Sequence, residues 1–585
     1  MAPNIVMNPS IVINKYKYIV LSSLLLTACA HAPAQPVAVD RVNPHEQQGE
    51  ATAVLPNVEL TGEVLYEFLL AEIANQRGQT ALAVKSSSKL AKKSRDPRLA
   101  RRAAQLAAEH GNTEETIEAI RLWRELEPDS TAAMRMSASM LLHDGKLDEA
   151  RQEIIKVLKV EEPRAGLVFM QIYQMLASYP DTAAALKLMR DVAQPYPRVV
   201  ESHWAVAQLA QGAGDDKLAL EEIRLVRGLR PEWDTAVSLE AQLLQRTAPL
   251  KGLEVLRRYL ADYPDAREIR LQYARALLDQ KQYKPARDEF QRLADANPDN
   301  PEMAYAIALI SLQLNDLQSA EKQLKQALSK GKKDQGTVQY YLGQLSEAKN
   351  NEEEATAYYR EVKSGEYLFP AQVRIAYLTG KRGQLAEARK QLHQARATSD
   401  QQRVQLVLVE GQMLREANQF AEAYQILQQG LAKQPEDADL LYGTAMMADK
   451  VGKPDVFEQL MRKVIQLKPD HAHAYNALGY SFLEHNVRIP EGVALVEKAL
   501  QLAPDDAAIM DSVGWGYYRT GKLDDSIKML RRAFAANPDP EVAAHLGEVL
   551  WMRGDKSEAG KTWQDSLKAN PNSAELQAVI KKFMP

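Results

Sequence analysis

The chain has 585 residues, with 73 Lys and Arg against 77 Asp and Glu, so its formal net charge is only −4. This balance excludes the strongly basic surface of a nucleic-acid-binding protein, and the single cysteine, Cys29, excludes internal disulfides and metal sites built on cysteine pairs. Aromatic residues make up 6% of the chain and strong helix formers dominate the rest, which predicts an all-α protein.

Residues 1–28 have the pattern of a secretory signal. Two lysines precede an apolar run over residues 18–26, which is too short to cross the roughly 30 Å of a bilayer core as a helix. The run ends in the sequence LTAC at residues 26–29, which resembles the lipobox of bacterial lipoproteins. That resemblance implies that Cys29 is acylated and becomes the mature N-terminus.

The residue after the cysteine, Ala30, bears on location. In Gram-negative lipoproteins an aspartate at this place favours the inner membrane, so the resemblance implies a lipid anchor in the outer membrane and a chain that faces the periplasm.

Residues 29–57 are rich in Ala, Pro and Gln, a composition that cannot bury a core, and we expect a flexible tether there. Whether translation starts at Met1 or Met7 stays open.

From residue 97 onward, prolines recur at a spacing of about 34 residues, which is typical of arrays of helix pairs. The prolines are Pro97, Pro128, Pro163, Pro197, Pro231, Pro264, Pro298, Pro435, Pro469, Pro504, Pro538 and Pro571. Between residues 298 and 435 the other positions of the pattern persist without the proline. We therefore expect about 14–15 repeat units over residues 58–571.

Each unit carries the same pattern of large and small residues. The first helix of a unit is marked by a Leu-Gly pair that has a bulky residue on each side, as at Leu478-Gly479 and Leu546-Gly547. The second helix opens with a small residue, and a bulky residue follows four positions later. The small residues are Ala150, Ala185, Ala219, Ala286, Ala320, Ala355, Ala388, Ala423 and Ala559. Glycines that can end a helix at positive φ are expected in the turns between the two helices, namely Gly111, Gly145, Gly214, Gly383, Gly452, Gly521 and Gly554. This pattern resembles the tetratricopeptide repeat (TPR). The expected fold is an all-α TPR α-solenoid superhelix, closed by a capping helix within residues 572–585.

In TPR proteins the first helices line the inner face of the array. Carried over to the last units, the resemblance implies a protein-binding groove formed by Asn476, Tyr480, Asp511, Trp515, Tyr518, Arg519, Glu548 and Trp551. Equivalent places in earlier units hold Trp204, Tyr340 and Arg415. The alternative for Trp515 and Trp551 is that both belong to the core between repeats.

Residues 476–563 and 69–107 resemble the last and first repeats of a proteobacterial family of outer-membrane TPR lipoproteins, most specifically in DSVGW and AAHLGEVLW. This family includes the lipoprotein adaptor of the carboxyl-terminal processing protease. The resemblance implies a non-catalytic adaptor whose partners are that protease and peptidoglycan endopeptidases. It implies no cofactor, no metal and no small-molecule substrate.

Two other functions remain open at this point. A pilotin-like lipoprotein that carries a secretion subunit to the outer membrane would share the anchor, although such proteins are usually much shorter. An enzyme acting on the cell wall is disfavoured because the sequence contains no nucleophile elbow and no phosphate-binding loop. His471 and His473 are spaced like half of a metal site, but they fall in a turn between repeats and no third ligand is evident.

Overall fold

The computed structural model describes residue 56, residues 58–109 and residues 113–584. The predicted signal sequence, Cys29, Ala30 and most of the predicted tether lie outside the described residues, as does Gly111. Within the described part of the chain the secondary structure is helical, with no strand. None of the helices described is long and apolar enough to cross a membrane.

The helices fall into two compact units, divided between Pro298 and Asp299. The helices of the N-terminal unit are α1 Gly62–Gln76, α2 Thr80–Ser94, α3 Pro97–Glu109, α4 Thr113–Leu126, α5 Thr131–His143, α6 Leu147–Val160, α7 Ala165–Leu176, α8 Thr182–Ala193, α9 Val200–Gly212, α10 Asp216–Leu229, α11 Asp234–Thr247, α12 Pro249–Asp262, α13 Arg267–Asp279 and α14 Tyr283–Ala296. A 3₁₀ turn over Glu162–Arg164 precedes α7.

The C-terminal unit continues the same alternation of first and second helices and ends in one unpaired helix. Its helices are α15 Pro301–Gln313, α16 Leu317–Ser329, α17 Gln335–Ala348, α18 Glu352–Arg360, α19 Leu368–Lys381, α20 Leu385–Gln394, α21 Asp400–Glu416, α22 Phe420–Lys433, α23 Ala438–Lys450, α24 Pro454–Leu467, α25 Ala472–Glu484, α26 Ile489–Leu502, α27 Ala507–Arg519, α28 Leu523–Ala536, α29 Pro540–Arg553, α30 Lys556–Ala569 and α31 Ala574–Phe583.

The recurring prolines separate one helix pair from the next. Pro128, Pro231, Pro435 and Pro571 each lie two residues after the end of a second helix, where a proline prevents the helix from continuing. After Pro128, Pro435 and Pro571 the next first helix begins at a Ser or Asp cap, for example Asp437, whose carboxylate accepts the backbone N–H of Leu440. The recurring prolines therefore mark the boundaries between helix pairs.

The turn inside most of the described pairs contains a residue with positive φ, a conformation that is costly for most side chains. The predicted turn glycines within the described residues all have positive φ, namely Gly145, Gly214, Gly383, Gly452, Gly521 and Gly554. Five other turns place a different residue there with φ between 56° and 58°, namely Lys281, Asn315, Asn350, Asn418 and Asn486. Asparagine tolerates this conformation better than most residues, which explains why the glycine pattern is incomplete.

Small residues let the two helices of a pair approach closely. The alanines predicted to open the second helices have no exposed surface. Opposite them, a Cβ on Gly547 would lie 2.0 Å from Nε1 of Trp563, and a Cβ on Gly343 would lie 2.5 Å from Cε1 of Tyr359. Each glycine thus makes room for the large side chain predicted four positions after the alanine.

The two ends of the array differ in how much apolar surface they expose. At the C-terminus, α31 packs against α29 and α30 and buries Leu576 completely. At the N-terminus, α1 leaves Tyr66 and Leu69 exposed, and Leu60 before it is 74% exposed. α31 therefore covers the end of the last pair, and we refer to it as the C-terminal cap, whereas α1 leaves apolar side chains exposed.

Candidate functional site

The predicted groove residues lie on α25, α27 and α29, the first helices of the last three pairs. These helices are neighbours, because α25 contacts α27 and α27 contacts α29 directly. We refer to the side chains that these three helices share as the first-helix face. It comprises Asn476, Tyr480, Asp511, Trp515, Tyr518, Arg519, Glu541, His545 and Glu548.

The innermost contact of the first-helix face joins α25 to α29. The hydroxyl of Tyr480 donates a hydrogen bond to Oε1 of Glu541, at 3.2 Å. Burial raises the pKa of Tyr480 and raises the pKa of Glu541 to about 7. Because the desolvated carboxylate is costly, Glu541 gains or loses a proton near neutral pH.

Beside this contact, α27 and α29 share a buried ion pair. Nδ1 of His545 lies 3.0 Å from both carboxylate oxygens of Asp511. Burial opposes protonation of the imidazole, but the Asp511 carboxylate outweighs it and raises the pKa of His545. The ring of Trp515 stacks on that imidazole with centroids 4.2 Å apart, so Trp515 shields the ion pair from water.

A second polar contact connects α27 to the C-terminal cap. The hydroxyl of Tyr518 donates to Oε1 of Glu548 at 3.4 Å, and Nζ of Lys582 donates to the same oxygen at 3.1 Å. Arg519, in the last turn of α27, is half-buried and carries a positive charge where the helix dipole favours one. Aromatic rings therefore lie beside positively and negatively charged side chains where α27 meets α29 and α31.

Two of the predicted groove residues have structural surroundings that the sequence pattern does not reveal. Trp551 packs against Trp563 and Phe583, with ring centroids 5.8 and 5.9 Å apart, so it belongs to the core beneath α31. Asn476 has no exposed surface, and neither atom of its side-chain amide has a hydrogen-bond partner.

Burial separates the predicted groove residues into two groups. Asn476, Tyr480 and Asp511 are at most 4% exposed and lie beneath the surface, because the neighbouring first helices approach closely enough to cover them. Trp515 and Tyr518 are half-buried and keep part of each ring in solvent, as do the side chains of Arg519, Glu548 and Trp551. That these eight residues bind a partner stays a prediction, and only the half-buried ones can touch a partner in this conformation.

Glu541 and His545 are not among the residues that the repeat pattern selects. The pattern aligns the last units on Val513-Gly514 and Leu546-Gly547, whose glycines lie 33 residues apart, and so places Ala544 opposite Asp511. A constant offset of about 34 residues from Asp511 would have selected His545 instead.

An open polar cleft of about 530 Å³ adjoins the first-helix face. Its lining includes the carboxylates of Asp511, Asp539, Glu541 and Glu575 and no Lys or Arg. Over the described part of the chain, no group of three or more His, Cys, Asp or Glu side chains is arranged to hold a metal ion. The arrangement favours contact with a polypeptide, through aromatic surfaces and side-chain hydrogen bonds.

Comparisons with known proteins agree with this geometry. Tetratricopeptide-repeat models match residues 243–310, 305–367 and 514–574. The TPR repeat-containing protein PA4667 of Pseudomonas aeruginosa is 32% identical over 488 residues, which covers 83% of this chain and 82% of that protein.

Solved structures also match parts or most of the chain. A chain of the APC/C hetero-tetramer Cut9–Hcn1 matches with a TM-score of 0.30 and 14% identity, covering 84% of this chain and 97% of that one. TTC0263, a TPR protein of Thermus thermophilus, matches with a TM-score of 0.29 and 20% identity, covering 31% of this chain and 98% of that one. The predicted all-α TPR solenoid is confirmed by the helix pairs and the family matches, and the chain belongs to the tetratricopeptide-repeat proteins.

Proposed function

We propose that this chain is a non-catalytic adaptor, anchored in the outer membrane by a lipid on Cys29, that brings a carboxyl-terminal processing protease together with peptidoglycan endopeptidases in the periplasm. TPR repeats in general bind other proteins. The observation that carries the proposal is the first-helix face, where Trp515 and Tyr518 lie half-exposed beside Arg519 and Glu548. Aromatic and charged side chains in this combination are typical of protein-binding surfaces.

The identity of the partners rests on sequence resemblance. Residues 476–563 and 69–107 resemble repeats of outer-membrane TPR lipoproteins that include the adaptor of this protease. Holding a protease and its substrate on one scaffold raises their concentration for each other without any catalytic group on the scaffold. Through degradation of the endopeptidases the adaptor would restrain cleavage of cell-wall cross-links.

Capture of partners from a periplasmic extract tests the function. The full chain, purified in detergent, should recover a carboxyl-terminal processing protease or a murein endopeptidase. Replacement of Trp515 by Ala should reduce recovery severalfold while the helical circular dichroism is retained. The matched control is Leu167→Ala on α7, a residue that is 65% exposed and far along the sequence from the first-helix face. Recovery of only pilus or secretin subunits would instead support the pilotin-like function.

The anchor needs a separate test. Cells that express the chain should incorporate radiolabelled palmitate into it, and the label should be lost in Cys29→Ala. Sucrose-gradient fractionation should place the labelled chain with outer-membrane markers. A chain that remains unlabelled, or that fractionates with the inner membrane, would contradict this part of the proposal.

A further inference from the structure

Exposed apolar side chains are concentrated at the N-terminal end of the array. Among the described residues, seventeen large apolar side chains are exposed, and eight of them lie within residues 58–82. These eight are Val58, Leu60, Leu65, Tyr66, Phe68, Leu69, Ile73 and Leu82. Extended apolar patches are uncommon on the surface of soluble proteins and indicate a surface that another molecule covers.

Four of these side chains form one stripe along α1. Leu65, Leu69 and Ile73 are spaced four residues apart, and Tyr66 lies on the same side of the helix. The buried side chains of α1 are those of two alanines on the opposite side, and α1 packs against α2. An amphipathic helix normally buries its bulky apolar side chains, whereas α1 exposes them. We refer to these four exposed residues as the α1 stripe.

The surroundings of the α1 stripe are positively charged. Each glutamate of α1 is ion-paired with a cation of α2 or α3, namely Glu63 with Lys93, Glu67 with Lys89 and Glu72 with Arg102. Arg77 at the end of α1 and Lys85 on α2 add exposed positive charge. Residues 58–95 contain six cations and four acids, so this end is net positive although the whole chain is net negative.

The predicted lipid anchor would hold this end of the array close to a bilayer. Leu60 follows Cys29 by 31 residues. A flexible tether of this length, as the sequence predicts, would keep the start of α1 within about 30 Å of the lipid on average. Helices with an apolar side and neighbouring cations bind at the surface of membranes, so the bilayer that holds the anchor is a matching partner within reach.

A second copy of the chain matches the α1 stripe less well. In a symmetric dimer the same surface occurs on both sides of the interface, so the positive charge around the stripe would face itself. Like charges oppose association, whereas anionic lipid headgroups attract cations. Tyr66 also suits a membrane surface, where tyrosines are enriched because the ring is apolar and the hydroxyl is polar.

We propose that the α1 stripe lies in the surface of the membrane that carries the lipid anchor, with its aliphatic side chains among the acyl chains and the cations of α2 at anionic headgroups. α1 lies along this surface and does not cross the bilayer. The contact holds the N-terminal unit against the membrane instead of letting it move freely on the tether. This inference rests on the lipid anchor of the proposed function and adds a second point of attachment.

Spin labelling of the full lipidated chain in vesicles tests the contact. Because acylation occupies Cys29, the one cysteine of the chain, the variant Leu69→Cys carries a single nitroxide label. The vesicles contain phosphatidylcholine with about one quarter phosphatidylglycerol. Power saturation measures collisions of the label with oxygen, which concentrates in bilayers, and with a water-soluble nickel chelate. The ratio of oxygen to nickel collisions should be at least threefold higher in Leu69→Cys than in Leu167→Cys, a control position that is 65% exposed.

Further variants connect the contact to the α1 stripe. Leu65→Gln with Tyr66→Gln should lower the collision ratio in Leu69→Cys to the value of the control label. These two positions are exposed, so the thermal midpoint should be retained. Leu225→Gln on α10, a position that is 50% exposed, should leave the ratio unchanged. Vesicles of phosphatidylcholine alone should lower the ratio at least twofold, and an equal ratio in both vesicles would contradict the role of the cations.

The proposal is overturned if the labels in Leu69→Cys and Leu167→Cys give the same ratio, or if the double glutamine variant keeps the high ratio. Protection of the Leu69→Cys label from both reagents would also overturn it, with spin–spin broadening indicating a second copy and its absence indicating another protein segment. A chain that incorporates no palmitate at Cys29 would contradict the anchor and the contact together. A lipidated chain whose label stays accessible to nickel would contradict the contact alone.

Discussion

The hydroxyl of Tyr480 on α25 and the carboxylate of Glu541 on α29 are hydrogen-bonded, although a complete helix pair, α27 and α28, separates them in the sequence. In repeat arrays most contacts join immediate neighbours. This bond shows that first helices two pairs apart come within reach of each other. The close approach also explains why Glu541 is desolvated and why its pKa rises to about 7.

Stability should fall as the pH rises from about 4.5 to about 7. In this window the folded chain keeps a proton on Glu541 that the unfolded chain has released, because the folded pKa is the higher one. His545 acts in the same direction, since its raised pKa gives a stabilisation that is lost as the pH rises through the folded value. The unfolding free energy of the unaltered chain should fall between about pH 5 and about pH 8, and in Glu541→Gln this fall should be smaller by about 2 kcal/mol. Urea denaturation at the two pH values measures the difference.

The control for this prediction is Glu254→Gln. Hydrogen bonds from Arg257 and Arg258 lower the pKa of Glu254 to about 2, so its contribution is present above the unfolded value of 4.5 and is lost only as the pH falls towards 2. The variant should leave the slope between about pH 5 and about pH 8 unchanged. Equal slopes for the unaltered chain and Glu541→Gln would contradict the assignment to Glu541.

Gly547→Ala should destabilise the last helix pair. Its Cβ would lie 2.0 Å from Nε1 of Trp563, a fully buried ring that also donates to the carbonyl of Ala544 at 3.2 Å. Overpacking of this kind costs about 1–3 kcal/mol, which thermal denaturation would detect as a lower midpoint. At Gly212 a new Cβ meets nothing within 4 Å, so Gly212→Ala should leave the midpoint equal or slightly higher.

A largely buried ion pair joins α17 to α19 in the C-terminal unit. Nε of Arg374 lies 3.0 Å from Oε1 of Glu347, and the hydroxyl of Tyr359 donates to the same oxygen at 2.6 Å. The side chains of Arg374 and Glu347 are 24% and 15% exposed, so loss of one partner leaves a charge largely cut off from water. Arg374→Met alone should lower the unfolding free energy by about 3 kcal/mol.

The double variant Arg374→Met with Glu347→Met provides the comparison. Because it removes both charges together, it should cost clearly less than the sum of the single replacements. A double-mutant cycle by urea denaturation measures this difference. Strict additivity would mean that the ion pair contributes no coupling.

The C-terminal cap should depend on Leu576. This side chain has no exposed surface and contacts the cluster formed by Trp551, Trp563 and Phe583. Leu576→Ala should destabilise the last pair by about 3 kcal/mol and shift the tryptophan emission to longer wavelength during mild urea treatment. Lys581→Ala, an exposed position on the same helix, should change neither measurement.

The repeat fold could be predicted from the sequence because its signals are local. The prolines mark boundaries between pairs, and the alanines that open second helices are completely buried, as expected. The predicted turn glycines were confirmed wherever they are described, while asparagines such as Asn418 and Asn486 in the same turns were missed. Asparagine adopts positive φ less readily than glycine, so its pattern is weaker in a sequence.

The candidate site was less predictable because it depends on how closely successive first helices approach. The repeat pattern places Tyr480 and Asp511 on the first helices but does not show that neighbouring helices cover them. It also does not show that Trp551 packs beneath the cap rather than towards a groove. The repeat pattern does not select His545 because Gly514 and Gly547 lie 33 residues apart rather than about 34, which is a local irregularity of the array.

The bond between Tyr480 and Glu541 has a consequence for cooperativity. If each repeat contacted only the next one, the terminal pairs would fray one at a time from the C-terminus, as in a one-dimensional chain with nearest-neighbour coupling. A bond that skips one pair adds a coupling between second neighbours, so α29–α30 cannot melt without weakening α25–α26 as well. Hydrogen exchange should therefore show the last three pairs opening as one unit, with a common protection factor for the core amides of α25, α27 and α29.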